Sequence, residues 1–95
     1  MDAVEDIKKL INEINLRKPK NYERMKIEEI SKELHSIMEF DQNILKKIEM
    51  CEVKHQDPDL IKYAKIISRK IIERETKLIQ ETYLKKIDSE YLNLK

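Results

Sequence analysis

The segment His55-Gln56-Asp57-Pro58-Asp59 contains the clearest helix boundary in this chain of 95 residues. Asp57 belongs to the residue types that cap helix N-termini, and Pro58 suits the first helical position, where the backbone N–H has no partner within the helix. Asp59 adds a negative charge at the positive end of the helix dipole. A long final helix is therefore predicted to begin at Pro58.

A first helix is predicted at the other end of the chain. It opens at Asp2, with Glu5 three residues further on as in a capping box, and its apolar side chains recur at helical spacing. It ends before Lys18-Pro19, because the residue before a proline disfavours helical backbone. A basic linker, residues 17–21, follows it.

Two more helices are predicted between this linker and residue 55. An apolar series at helical spacing runs from Met25 to Ile37 and marks the second helix. The pattern stutters over residues 38–41, where Asp41 can cap a short third helix that carries Ile44, Leu45 and Ile48. The sequence therefore predicts a break near residue 40.

The composition favours helix along the whole chain, since it has no Gly, two Pro and many Leu, Ile, Lys and Glu residues. The predicted fold class is all-α: a compact bundle of four helices, or five if a short one is added, with a long C-terminal helix. The length fits one domain over residues 1–95. We expect its core at about 3–79 and a C-terminal helical extension at 80–95.

Several classes of function are disfavoured by what the sequence lacks. Without Gly there is no Gly-rich phosphate loop, and one Cys with two His cannot form a Cys₄ or Cys₂His₂ zinc site. Carboxylate pairs are present, but no pattern marks a pocket that would tune their pKa values. We therefore predict a non-enzyme with no catalytic residues, metal, cofactor or small-molecule substrate.

The chain is also predicted to be intracellular, in the nucleus or the cytoplasm. The single Cys allows no internal disulfide, and the first residues are acidic where a signal peptide would be basic and then apolar. Its apolar runs are far shorter than the roughly 20 residues that span a bilayer, so no membrane partner is expected. The initial Met1 favours a complete product.

The final helix has two different sides. One narrow stripe is predicted to face the core: Leu60, Ala64, Ile67, Ile71 and Leu78, with Ile61 and Ile72 on its flank. The opposite arc is basic, with six Lys and Arg residues against two acids between positions 60 and 77, a net charge of +4. The aromatic Tyr63 and the aliphatic Ile66 lie among these bases. The predicted partner-binding site is Lys62, Tyr63, Lys65, Ile66, Arg69 and Lys70.

This basic arc has three interpretations. It is a solvated face whose charges pair along the helix, a protein-binding face, or a nucleic-acid-binding face on which Tyr63 stacks. Residues 1–16 and 27–45 carry net charges of −2 and −4, which disfavours nucleic acid. A positive face with embedded apolar side chains suits an acidic, partly apolar peptide better.

The C-terminal end carries a second apolar stripe. Ile79, Tyr83, Ile87 and Tyr91 recur every four residues, and this stripe is rotated by roughly a third of a turn from the first. A helix over residues 58–92 would span on the order of 50 Å, whereas a globule of this length has a radius of gyration of about 12 Å. The end must overhang, fold back or meet a partner, so these four residues are the predicted oligomerisation site.

Residues 54–67 also carry a family resemblance. Lys54-His55-Gln56-Asp57-Pro58-Asp59-Leu60-Ile61-Lys62-Tyr63-Ala64-Lys65-Ile66-Ile67 resembles the start of the last helix in the N-terminal helical domain of the transcription elongation factor TFIIS. That domain type recurs in Elongin A, Mediator and the integrase-binding domain of LEDGF. Lys32-Glu33-Leu34-His35-Ser36-Ile37 followed by Asn43-Ile44-Leu45 is similar to the family's long helix and short helix. The family's Trp falls on Ile71.

The resemblance implies a non-catalytic bundle that docks short disordered segments of transcription or chromatin partners, often acidic ones with an apolar anchor. It implies a core at Ile37, Leu45, Leu60, Ala64 and Ile67, and rim contacts at Lys62, Lys65 and Arg69. The first hypothesis is therefore a peptide-docking module, with transcription elongation as its setting. A homo-oligomer that pairs through the C-terminal stripe is second, and nucleic-acid binding is third.

Overall fold

The structure, a computed structural model, describes residues 3–92 and is all-helical over that range. Helix α1 spans Ala3–Leu16, α2 spans Ile27–Val53 and α3 spans Pro58–Ile87. A short 3₁₀ turn, Tyr22–Arg24, lies between α1 and α2, and a π-helical turn, Asp88–Leu92, continues α3. The all-α class and the long C-terminal helix are confirmed. The proposed cap at Asp2 lies outside the described residues.

The prediction of four helices is wrong, because α2 continues through the expected break at residues 38–41. The buried side chains of its inner face include Ile30, Ile37, Ile44 and Cys51, each seven residues after the last. A seven-residue repeat keeps one face of a helix turned toward its partners. Phe40 packs against the core on both sides of this point, so the apolar face has no gap there.

The turn between α2 and α3 closes α2 in a Schellman motif. The N–H of Gln56 donates to the carbonyl of Cys51 at 3.1 Å, and the N–H of His55 donates to the carbonyl of Glu52 at 3.0 Å. His55 has a φ of 56°, in the left-handed region that this motif requires and that glycine adopts most easily. With no glycine in the chain, a histidine adopts this conformation.

The predicted start of the final helix is confirmed. The Asp57 side chain accepts hydrogen bonds from the backbone N–H groups of Asp59 at 2.9 Å and Leu60 at 3.4 Å. Pro58 occupies the first turn, as expected for a residue without an N–H. The residues at 57–59 therefore set where α3 begins.

The buried stripe of α3 differs from the prediction. Its members are Ile61, Ala64, Ser68, Ile72, Glu75, Ile79 and Thr82. Of the residues predicted at its centre, Ala64 is buried and Leu78 is 40% exposed, while the other three, Leu60, Ile67 and Ile71, lie half-buried at its edge. Ile61 and Ile72, predicted on the flank, are buried. The hydroxyls of Ser68 and Thr82 donate to the backbone carbonyls of Lys65 and Leu78, so they are satisfied inside the helix. The stripe contains polar as well as apolar side chains, and it forms one continuous buried face from Ile61 to Thr82.

Two apolar clusters lie along the molecule. The first joins α1 to the turn end of the hairpin of α2 and α3: Ile7, Leu10, Ile14, Ile44, Ile48, Cys51, Ile61 and Ala64. The second, at the other end, contains Tyr22, Ile30, Ile37, Ile72 and Ile79. The result is a rod of 55 × 18 × 18 Å with a radius of gyration of 16.7 Å, so the expected compact globule is wrong.

Candidate partner-binding face

All six residues of the predicted partner-binding site lie on the exposed side of α3: Lys62, Tyr63, Lys65, Ile66, Arg69 and Lys70. Tyr63 is 48% exposed and Ile66 is 47% exposed. These two apolar side chains are held on a helix whose opposite face is buried, so their positions are fixed by the core. The structure therefore brings together the basic and apolar groups expected from the sequence.

An ion pair connects this arc to α2. The Nζ atom of Lys65 lies 2.8 Å from Oε1 of Glu52, with about half of each side chain exposed. The short connection between Val53 and Pro58 makes α2 and α3 antiparallel, and this pair places residue 52 near residue 65. Leu34 and Tyr83 pack on the apolar cluster at the other end of the hairpin, so the packing of α3 on its neighbours reaches Tyr83.

A cleft lies at the turn end of this face. It has a volume of about 440 Å³ and is lined by Glu52, His55, Gln56, Pro58, Ile61, Lys62 and Lys65. Two of the predicted site residues, Lys62 and Lys65, stand on its wall. Gln56 is 4% exposed, which is unusual for an amide side chain beside an open cleft.

A second groove lies further along the same side of the hairpin. It has a volume of about 290 Å³, and its lining includes Met38 and Asp41 from α2 and Arg69 from α3. Met38 is 59% exposed, and Leu45, one heptad further on, is 42% exposed. The assignment of Leu45 to the core, implied by the family resemblance, is therefore wrong. The contribution of α2 was missed because a break was expected near residue 40.

The residues predicted for oligomerisation are not all on the surface. Ile79 is 0% exposed and belongs to the second apolar cluster, and Tyr83 is half-buried against that cluster. Ile87 is half-buried and Tyr91 is 66% exposed. Glu75 and Thr82 are polar, so the sequence pattern does not indicate that the buried stripe continues through Ile79.

The single cysteine, Cys51, is free and buried. Burial, with a smaller effect from Asp6, raises the pKa of the Cys51 thiol, which holds it in the neutral form that is a poor nucleophile. Within residues 3–92 no three His, Cys, Asp or Glu side chains are grouped to hold a metal ion. No helix in the same range is long and apolar enough to cross a membrane.

Comparison with protein families, with curated proteins and with solved structures finds no match to this chain. The fold and its surface define the class instead: an antiparallel helical hairpin, packed by a shorter α1, with a mixed basic and apolar face along α2 and α3.

Proposed function

We propose that the protein is a non-catalytic protein-interaction module. In this proposal, the exposed face of α3, with the cleft that it shares with α2 beside it, docks a short acidic segment that carries an aromatic or large aliphatic side chain. The observation that carries the proposal is the pair Tyr63 and Ile66, each about half-exposed on a basic helical surface. Half-exposed apolar anchors with charged neighbours are typical of peptide-binding surfaces.

The basic residues around Tyr63 and Ile66 and these two apolar side chains have different roles in binding. Lys62, Arg69 and Lys70 are exposed, so each contributes little binding energy alone but attracts an acidic chain over a distance. Tyr63 and Ile66 supply the apolar area whose burial holds the ligand. We therefore expect affinity to depend on the two apolar side chains and the association rate to depend on the bases.

The setting of this interaction follows from the family resemblance of residues 54–67. If that resemblance reflects common ancestry, the partner is a disordered acidic segment of a transcription or chromatin protein. The peptide-docking proposal rests on the surface chemistry and holds for an acidic segment from any source.

A peptide-display selection tests this function directly. The full chain is immobilised and panned with random peptides, and the recovered peptides are synthesised and titrated by calorimetry. We expect recovered sequences in which acidic residues flank an aromatic or aliphatic residue. Tyr63→Ser with Ile66→Ser should weaken their binding by at least about tenfold, since a tenfold change needs only about 1.4 kcal/mol.

The matched control changes two other exposed apolar residues on the C-terminal part of the molecule. Leu84 and Tyr91 are 65% and 66% exposed, more than Tyr63 and Ile66. Leu84→Ser with Tyr91→Ser should leave the affinity unchanged. A loss of binding in this control, with none in the variant of Tyr63 and Ile66, would contradict the proposed face.

Self-association is a second candidate, favoured by the apolar C-terminal end. Leu84, Ile87 and Leu92 line a shallow hollow of about 340 Å³, and Leu92 is 59% exposed. Sedimentation equilibrium tests this candidate, with Leu84→Glu and Tyr91→Glu as the disrupting changes. Tyr83→Glu is unsuitable, because Tyr83 packs on the core and its loss would destabilise the monomer. A monomer at all concentrations would reject this candidate.

A further inference from the structure

The cleft at the turn contains a buried acceptor without a donor. The Gln56 side chain is 4% exposed, and its Nε2 donates to Oδ2 of Asp6 on α1 at 3.4 Å. Its Oε1 is buried and has no hydrogen-bond partner among residues 3–92. A buried carbonyl left unpaired destabilises the folded chain, so a role in binding is a reason for its presence.

The geometry of the Gln56 amide directs Oε1 away from α1. Nε2 and Oε1 diverge from the same carbon, and Nε2 is directed at Asp6 of α1. Gln56 lines the cleft between α2 and α3, together with Lys62 and Lys65. The first N–H groups of α3 are not part of this site, because the Asp57 carboxylate already accepts from them. Beside the Glu52 carboxylate, the cleft therefore offers one unpaired acceptor and two ammonium donors.

We propose that this cleft binds the main chain of the docked acidic segment. A backbone N–H of the segment donates to Oε1 of Gln56, and an adjacent carboxylate pairs with Lys62 and Lys65. A peptide carries both groups within one or two residues, whereas a simple anion has no N–H to give. The inference rests on the proposed function and adds the position of the ligand backbone.

Glu52 competes with the ligand at this site. Its carboxylate lies 2.8 Å from Nζ of Lys65 and lines the same cleft, where it stands in for an incoming carboxylate. The pair is about half-exposed, so it is weak and easily exchanged. Oε1 of Gln56 has almost no accessible surface, so the side chains that cover it move aside when the ligand binds in this proposal. Removing the charge of Glu52 should therefore strengthen binding.

A double-mutant cycle, with one change in the protein and one in the peptide, tests the proposed hydrogen bond to Oε1 of Gln56. The probe is a synthetic peptide of alternating aspartate and leucine with one phenylalanine, and its matched copy is methylated on the backbone nitrogens. Gln56→Met keeps the length of the side chain and removes the amide. The unmodified peptide should bind the unchanged chain at least about tenfold more tightly than the methylated copy. For Gln56→Met the two peptides should bind alike.

Two further variants complete the test. Glu52→Gln should bind the unmodified peptide about three- to tenfold more tightly, since Lys65 is released and a negative charge is lost. Asp6→Asn keeps an acceptor oxygen for Nε2 of Gln56 and removes the charge that pairs with Lys54, so it should leave the affinity unchanged. Gln56→Met removes both the unpaired acceptor and the long hydrogen bond to Asp6, so its melting temperature should change little.

The outcomes separate this inference from the proposed function. If the peptide binds, and Tyr63→Ser with Ile66→Ser weakens it, but Gln56→Met retains the preference for the unmodified peptide, the cleft inference alone is wrong. An affinity that falls in Glu52→Gln would also overturn it. If neither peptide binds the unchanged chain, the proposed function fails and the cleft inference fails with it.

Discussion

The Nε atom of Arg17 lies 2.7 Å from Oε2 of Glu75, so the segment that leaves α1 is tied to the middle of α3. The Glu75 side chain is 2% exposed. The same guanidinium lies over the ring of Phe40 in α2, with Cζ 4.3 Å from the ring centroid. Arg17 therefore contacts both long helices at the level where the two apolar clusters meet.

Arg17→Met should lower the free energy of unfolding by about 2 to 3 kcal/mol, because it leaves a buried carboxylate without its cation. Adding Glu75→Met should recover most of this loss, since a buried charge is then replaced by an apolar side chain. Urea denaturation measures both variants.

Lys47 and Glu13 provide the matched control, a pair at 3.0 Å with about half of each side chain exposed. Lys47→Met should cost less than about 1 kcal/mol. Equal losses of unfolding free energy in Arg17→Met and Lys47→Met would show that the buried pair stabilises the fold no more than the exposed pair.

His55→Gly should stabilise the chain by about 1 kcal/mol, because glycine adopts a φ of 56° without the clash of a Cβ atom. His35 lies exposed within α2, and His35→Gly should cost about 0.5 kcal/mol through loss of helix propensity. Thermal unfolding of both variants gives the comparison. Changes of the same sign would contradict the role assigned to the Schellman motif.

Stability should fall in alkali as Tyr22 ionises. Burial is the main reason that the pKa of Tyr22 is raised above its ordinary value of 10.0, and the charges of Glu75 and Glu33 raise it further. The folded state then binds more protons than the unfolded state, so stability that is present below pH 10.0 is lost as the pH rises through the folded pKa. Tyr22→Phe should flatten this fall.

The alkaline comparison is made in a Cys51→Ala background, because burial also raises the pKa of the Cys51 thiol. Urea denaturation across about pH 8 to 11 covers both ordinary values. Tyr91→Phe is the control, since Tyr91 is 66% exposed. An equal flattening in both Tyr variants would rule out Tyr22 as the group that titrates.

The sequence predicted the parts of the fold that depend on local chemistry. Asp57 and Pro58 specify the start of α3 through a cap and a missing N–H, and both signals are visible in single residues. The exposure of Tyr63 and Ile66 also follows from their place among the bases. These features need no knowledge of what packs against them.

The features that the sequence analysis missed depend on tertiary packing. Asp41 resembles an N-cap, yet α2 passes through it because the apolar repeat on either side is buried by α3 and α1. Glu75 occupies a core position because Arg17, 58 residues away in the chain, neutralises it. Gln56 was visible within the boundary segment, but only its burial and its unpaired oxygen mark it as a site residue.

Lys62→Glu with Arg69→Glu should lower the association rate of an acidic peptide at least about tenfold at low salt, and by less as salt is added. Lys85→Glu with Lys86→Glu makes the same change of charge elsewhere on α3 and should have a smaller effect. Stopped-flow fluorescence measures the rates. An unchanged rate in the variant of Lys62 and Arg69 would remove the steering role of the basic arc.

The same variant tests nucleic-acid binding on this arc. A nucleic-acid ligand would bind the unchanged chain with an affinity that falls steeply with salt, and it would lose that affinity in the variant. We expect the acidic peptide to displace it, since both would use Lys62 and Arg69. Binding of nucleic acid with no binding of acidic peptides would replace the peptide hypothesis.

We expect the exposed face of α3 near the turn, with the cleft that it shares with α2, to bind an acidic segment. The most direct measurement is a titration of the isotope-labelled full chain with a display-selected peptide, followed by the backbone and side-chain amide signals in NMR. We expect shifts concentrated at residues 52–73, including the side-chain amide of Gln56. Shifts centred on residues 84–92, or none at saturating peptide, would contradict it.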